Sequence, residues 1–247
     1  MAKKIFQINN NLITFVGTKG EEVNGSSEDC RLVGGIFNGT SCYINENNLN
    51  INTINNRNIK GQENTLNHKA LNTYVTGNNN QIDEVDSTHT IGDLAHTTRY
   101  KEFNHAITSS LGRSQRSVLM YEGRTTDATE TEIFIGGESN KRFIVDETKE
   151  CVIALECYIL AKRVDSRDDA CMGKYQRNTF RVTAGVLTRI GQNNLTNHND
   201  GISGWTNDFV AVSDTPDYIK ATVTGQSSCT IDWSVIVMIS ELKTSFI

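Results

Sequence analysis

Two segments, IKGQENTL at residues 59–66 and VTGNNNQI at residues 75–82, carry one pattern sixteen positions apart. Ile59 is matched by Val75, Gly61 by Gly77, Asn64 by Asn80 and Leu66 by Ile82. Continued at the same step, the first column reads Tyr43, Ile59, Val75, Ile91, Ile107. The polar columns stop sooner, since Asp93 and Ser109 fall where glycine is expected and His96 where asparagine is. A fixed period of this kind marks a stacked architecture, in which one unit repeats and buries its apolar edge on the next.

Composition says what is stacked. Fourteen asparagines lie between Asn45 and Asn80, with single Ile, Leu and Val residues among them. Asparagine competes with the backbone for hydrogen bonds and so disfavours helix, yet it tolerates the left-handed conformation of tight corners. Stacked amides also form ladders between β layers. Short strands on a β-helical shaft fit this pattern. The alternative, a disordered Asn-rich linker, would not need the apolar period. One Ile and one Leu per coil bury little, while ordering each residue costs about 1–2 kcal/mol. Three chains around an axis would multiply the inward side chains, so the expectation is a homotrimer with Ile59, Val75, Ile91, Ile107, Leu66 and Ile82 at its core.

The remaining chain reads as strands. Its 247 residues are only 37% hydrophobic, with one proline, and hold no convincing long amphipathic helix. The net charge of −5 provides no basic stripe, which argues against a nucleic-acid partner. No eighteen-residue apolar run is present to span a membrane. Lys3 and Lys4 are followed too soon by Asn9–Asn11 to make a signal peptide. The six cysteines, which match no zinc spacing, are therefore expected as reduced, buried thiols.

Three regions are expected: an attachment segment at 1–30, an Asn-rich shaft at 31–117 and a β-sandwich tip at 118–247. Period-two alternation places Phe180, Val182, Ala184 and Val186 on one buried face, and Ile231, Trp233, Val235, Val237 and Ile239 on another. Val152–Ala161 suits strand or helix. Gln192–Asn207 reads as a long Asn-rich loop.

Within the tip region stand the threonine run Thr125-Thr126-Asp127-Ala128-Thr129-Glu130-Thr131-Glu132, the central Ala161-Lys162-Arg163 and Gly204-Trp205 before Phe209-Val210-Ala211-Val212. The closing Lys220-Ala221-Thr222-Val223-Thr224-Gly225 and Thr230-Ile231-Asp232-Trp233-Ser234-Val235 follow. In order and spacing, Val118–Leu242 resembles a terminal domain of bacteriophage fibre and virion-appendage proteins. The resemblance implies a domain capping a trimeric shaft on a virion, made in the host cytoplasm and attached by its N-terminal segment to other virion proteins. The cysteines in the strands and the Gln192–Asn207 segment depart from the family pattern.

No catalytic motif stands out. There is no Gly-x-Ser-x-Gly, P-loop or dinucleotide glycine pattern, and the pairs Asp83/Asp86 and Asp168/Asp169 read as solvated turns. His96 or His105 could ring a metal on a threefold axis, but neither belongs to a local ligand pattern, so no metal or cofactor is expected. Trp233 reads as core, and Trp205 as either packing or a sugar-stacking ring. Host contact, with a surface glycan as the candidate ligand, is assigned to Asn193, Asn194, Asn197, Asp200 and Trp205, whose amides, carboxylate and ring suit sugar hydroxyls and pyranose faces. Competing readings are a glycan-depolymerising spike and a bacterial trimeric surface adhesin.

Overall fold

The computed structural model describes residues 5–9, 12–16, 22–32, 36–37, 39–43, 58–66, 70–83, 85–146, 148–166, 170–201 and 204–244. The chain divides into two units, Met1–Gln115 and Arg116–Ile247.

The first unit opens with a small antiparallel sheet of β1 (Ile5–Asn9), β2 (Leu12–Val16), β3 (Glu22–Asn24), β4 (Ile36–Phe37) and β5 (Cys42–Tyr43). A one-and-a-half-turn helix, α1 (Ser27–Leu32), interrupts it. Ser26 and Asp29 cap that helix reciprocally: the Asp29 N–H donates to Ser26 Oγ at 3.1 Å, and the Ser26 N–H donates to Asp29 Oδ2 at 2.9 Å. Cys30 and Cys42 form a disulfide, which corrects the expectation of six thiols. Their spacing signals nothing in sequence; folding α1 against β5 brings them together.

A β-solenoid of about three coils follows. β6 (Asn58–Lys60), β8 (Tyr74–Thr76), β10 (His89–Asp93) and β12 (Phe103–Ile107) stack in parallel as one sheet, and β7 (Thr65–Leu66), β9 (Gln81–Ile82) and β11 (His96–Thr97) as a second. The coil shortens as it rises. Ile59 lies beside Val75, sixteen residues on; Val75 lies beside Thr90, fifteen on; Thr90 lies beside Asn104, fourteen on. The column that continues Ile59 and Val75 is therefore Thr90 and Asn104, not Ile91 and Ile107. Ile91 pairs in register with Thr76 and His105 and is only half-buried, and Ile107 pairs with Asp93.

The core changes chemistry with that shortening. Ile59, Val75, Leu66 and Ile82 are at most 2% exposed within a single chain, packed with Ile13 and Phe15 of the N-terminal sheet. The sparse apolar columns are thus completed within the chain by side chains of the N-terminal sheet. Above them the interior turns polar: Thr90 Oγ1 and Thr97 Oγ1 lie 2.7 Å apart, and Asn104 Nδ2 donates to Thr97 Oγ1 at 3.1 Å.

The corners explain the polar columns. At Gly61, Gly77 and Gly92, with φ of 117°, 121° and 115°, a Cβ would lie 1.8–1.9 Å from a carbonyl oxygen of the coil above. Only glycine fits so close a stack. Beside it runs a buried amide ladder. Asn64 Nδ2 donates to the Gly77 carbonyl and Asn80 Nδ2 to the Gly92 carbonyl, both at 2.7 Å, and Asn80 Nδ2 reaches Asn64 Oδ1 at 3.0 Å. The Ala95 N–H closes the ladder on Asn80 Oδ1 at 2.8 Å. Outside, Tyr74, His89 and Phe103 stack edge to face with centroids 4.4 and 4.8 Å apart.

The second unit is antiparallel throughout. β13 (Ser114–Thr125), β14 (Glu130–Ile135), β15 (Phe143–Ile144), β16 (Cys151–Arg163), β17 (Cys171–Thr183), β18 (Val186–Asp200), β19 (Thr206–Val212), β20 (Tyr218–Thr224) and β21 (Ile231–Lys243) make it up. One group runs β18-β17-β16-β21-β13, and β20 gathers β14, β15 and β19 in another. Tyr121 of β13 and Phe209 of β19 meet edge to face at 6.3 Å, so apolar faces of the two groups touch. Val152–Ala161, ambiguous in sequence, is strand: Ile153, Leu155, Cys157 and Ile159 are fully buried on one side. Phe180 and Val182 hold their expected inner face, but Ala184 and Gly185 form a two-residue turn with positive φ, and Val186 restarts the chain as an exposed residue of β18.

Candidate functional site

The segment expected as a loop is strand for most of its length. β18 pairs with β17 as far as Asp200 opposite Cys171, leaving only the short connection to β19 irregular. Two register shifts, between Tyr175 and Gln176 and between Thr179 and Phe180, leave Leu195 and Ile190 without partners and decide which asparagines face which way.

Those shifts divide the expected host-contact residues. Asn194 lies opposite Gln176 and Asn197 opposite Lys174, sharing the face on which β17 is buried. Asn193 lies opposite Arg177 and Asp200 opposite Cys171, on the other face. Trp205 is not a contact residue on either. It is 6% exposed, its ring lies 5.9 Å from that of Trp233, and Nε1 points to Gln226 Oε1 at 3.4 Å. Burial of the indole against a second indole corrects the sugar-stacking reading.

The shared face of Asn194 and Asn197 continues into a polar floor that sequence reasoning missed. β17 breaks its apolar alternation here, placing Lys174, Gln176 and Asn178 where an inner strand face carries aliphatic residues. Gln176 and Asn178 are 0% and 1% exposed. From β19, Asn207 bridges Lys174 and Gln176, accepting from Lys174 Nζ at 2.8 Å and donating to Gln176 Oε1 at 2.7 Å. Beside it Asp208 Oδ1 accepts from Arg189, from Gln192 Nε2 at 3.1 Å and from the Phe209 N–H at 2.8 Å. The alternate polar letters of KYQRN at 174–178 were the available signal.

Burial dominates the electrostatics. It pulls the Lys174 ammonium below its ordinary pKa, with Asp208 opposing. It pushes the Cys157 thiol, under Asn178, up to about 12. Among the described residues, Gln176 Nε2 and Asn178 Oδ1 are buried with no hydrogen-bond partner. Buried amides are normally paired.

This arrangement of amides and one ammonium lies beside an edge strand exposed from Ile190 to Asp200, and groups of these kinds are donors and acceptors suited to hydroxyls and carboxylates. Asp208 Oδ1 is committed to three N–H donors and serves as an anchor. The carboxylates weighed for catalysis do not gather here: Asp83 binds His96 Nε2 at 2.9 Å, Asp86 accepts from the Leu71 N–H, and Asp168 and Asp169 lie outside the described residues. No three His, Cys, Asp or Glu side chains come together as a metal would require, among the described residues. His105 is exposed on β12.

No family model matches the chain. No curated protein matches it either. Among solved structures it is similar to a tailspike protein, gp49, of the Acinetobacter baumannii bacteriophage Fri1, described as a capsular polysaccharide depolymerase. The identity is 9% and the TM-score 0.31, covering 69% of this chain and 35% of that one. The Acinetobacter baumannii phage AM24 tailspike matches at 8% and 0.25, covering 70% and 34%. The Acinetobacter phage vB_ApiP_P1 tailspike matches at 8% and 0.18, covering 71% and 41%. The chain spans between a third and two-fifths of the length of these proteins.

Proposed function

We propose that this chain is a structural protein of a bacteriophage tail appendage, which holds host-surface polysaccharide along the amide-lined face of β17, β18 and β19. The observation that carries the reading is the placement of the exposed Asn194 and Asn197 on the same face as Lys174, Gln176 and Asn207. The solenoid and the resemblance of Val118–Leu242 to fibre terminal domains support the virion setting. The reading includes the homotrimer expected from sequence, attached to other virion proteins through residues 1–30. Three such faces on one particle gain avidity without any new contact.

The test exploits the division of β18. Asn194→Ala combined with Asn197→Ala should weaken binding to purified host capsular polysaccharide by roughly tenfold or more, as loss of two or three hydrogen bonds implies. Asn193→Ala combined with Asp200→Ala, on the opposite face, should stay within about twofold. Equal effects of the two pairs, or no binding by the parent chain, would overturn the assignment. Depolymerisation is a separate step, and release of reducing ends during the same incubation is its assay.

A further inference from the structure

The charged side chains around the amide-lined face differ in what holds them. Arg189 Nη1 donates to Asp208 Oδ1 and to the Phe209 carbonyl, so that cation is matched by an acid. Arg177, on the other face of β17, is matched by Glu156 at 3.1 Å. Lys174 is not matched in this way. Its Nζ donates to a neutral oxygen, Asn207 Oδ1, at 2.8 Å, and among the described residues no carboxylate forms an ion pair with it. The Asn207 amide is held with its oxygen toward Lys174, because its Nδ2 donates to Gln176 Oε1 on the other side.

An ammonium carries three N–H donors, and the chain uses one of those on Lys174. Burial pulls this half-buried group below its ordinary pKa, and the attraction of Asp208 offsets that only in part. The neighbouring Cys157, pushed up to about 12, stays a neutral thiol and supplies no counter-charge. Lys174 and Arg189 against Asp208 leave the face one positive charge in excess, on a chain whose net charge is −5. Such a chain repels an acidic polymer in general, so a local positive excess is where one can seat. On both sides of Lys174 the face is neutral: Asn199 lies opposite Met172, Asn194 opposite Gln176 and Gln192 opposite Asn178. Amides pair with hydroxyls as donor and acceptor, whereas the ammonium gains most from an anion, through a shorter and stronger charge-assisted bond.

We infer that the polysaccharide held on this face is an acidic one, with the carboxylate of one sugar seated on Lys174 and neutral sugars on the amides to either side. The inference rests on the polysaccharide reading above and adds the class of polymer. Lys174 is then the specificity-determining residue, since the amides would hold neutral and acidic glycans alike. A neutral glycan would leave the half-buried ammonium as the free chain has it.

The test uses the full chain and purified host capsular polysaccharide in two forms, native and carboxyl-reduced, the latter with each carboxylate converted to a primary alcohol by carbodiimide and borohydride. Calorimetry should show the parent binding the native form on the order of 10- to 100-fold more tightly than the reduced form, as loss of one charge-assisted hydrogen bond implies. Lys174→Gln keeps an N–H for Asn207 and removes the charge; it should bind both forms alike, at the parent's weaker affinity. Lys162→Gln removes the same charge from the other side of the sheet and should preserve the parent's preference within about twofold. A parent that binds both forms equally, a bound host polymer that contains no carboxylate, or a Lys174→Gln chain that keeps the parent's preference each overturns the inference. The first two outcomes need no variant, so a misfolded Lys174→Gln chain does not shield it. The paired Asn194→Ala and Asn197→Ala substitutions separate the two readings. If they weaken binding to both forms while the preference fails to appear, the face stands and its acidic ligand falls. If they change nothing, or the parent binds neither form, both fall.

Discussion

Asn80→Ala is the most direct probe of what holds the solenoid. The Asn80 side chain donates to the Gly92 carbonyl at 2.7 Å and to Asn64 Oδ1 at 3.0 Å, and accepts from the Ala95 N–H at 2.8 Å, in a site 1% exposed. Truncation leaves the Ala95 N–H and the Gly92 carbonyl unpaired where water enters poorly. Asn64 Oδ1 keeps the Asn80 backbone N–H as a donor. Two stranded groups at about 1–3 kcal/mol each, partly relieved by relaxation, put the loss near 2–4 kcal/mol. The companion substitution is Asn78→Ala. Asn78 builds an outer ladder of the same form, accepting from the Gln62 N–H at 2.9 Å and donating to Asp93 at 3.1 Å, but in solvent. Water replaces those bonds, and its loss should stay under about 0.5 kcal/mol. Native-state hydrogen exchange at the amides of Gln81 and Ala95 reads the two losses locally. If Asn80→Ala loosens those amides no more than Asn78→Ala does, the buried ladder is not what fixes one coil on the next.

Three further outcomes are expected. Gly77→Ala should prevent the coils from closing, because the added Cβ would sit 1.9 Å from the Gly92 carbonyl oxygen on backbone at φ of 121°; soluble protein with unchanged exchange protection would refute this. His89 has its pKa lowered by burial, so the unfolded chain binds the proton more readily. Stability should then fall as pH drops below 6.5, through the lowered folded value. His89→Phe, which extends the stack of Tyr74 and Phe103, should flatten that slope in acid unfolding curves, and an unchanged slope would place the titration elsewhere. Among the free cysteines, exposed Cys171 should be alkylated quickly at pH 8 while buried Cys157, pushed up to about 12, stays unmodified until denaturation; peptide mapping after a brief pulse distinguishes them.

The stacked fold was legible because a solenoid writes its period directly into sequence. Gly61 and Gly77 are required by a close backbone approach, Asn64 and Asn80 by a buried rung, and both survive as letters. The loss of two residues over successive coils was not legible. Thr90 and Asn104 fill the interior by hydrogen bonding to Thr97, so the apolar marker vanishes from the column while Ile91, one place off, imitates it. The full core of the lower coils was hidden for a related reason: the side chains that complete it, Ile13 and Phe15, come from outside the repeat. In the second unit the strands were readable from alternation. The candidate site was readable only in part, because the face taken by each asparagine of β18 depends on two bulges that leave no residue signature. Lys174, Gln176 and Asn178 were hidden by the habit of reading inner strand positions as apolar.

The shortening of the coil also limits how this shaft can change its length over evolutionary time. Between β6 and β8 a duplicated sixteen-residue block would drop in as a new storey, with its glycine above a glycine and its amide above an amide. Between β10 and β12 the same insertion would bring an apolar pair into a layer bonded through Thr90, Thr97 and Asn104, and would demand two residues more contour than that layer encloses. Growth by copying is therefore confined to the end beside the N-terminal sheet, and the coil nearest residue 107 acts as a fixed terminus.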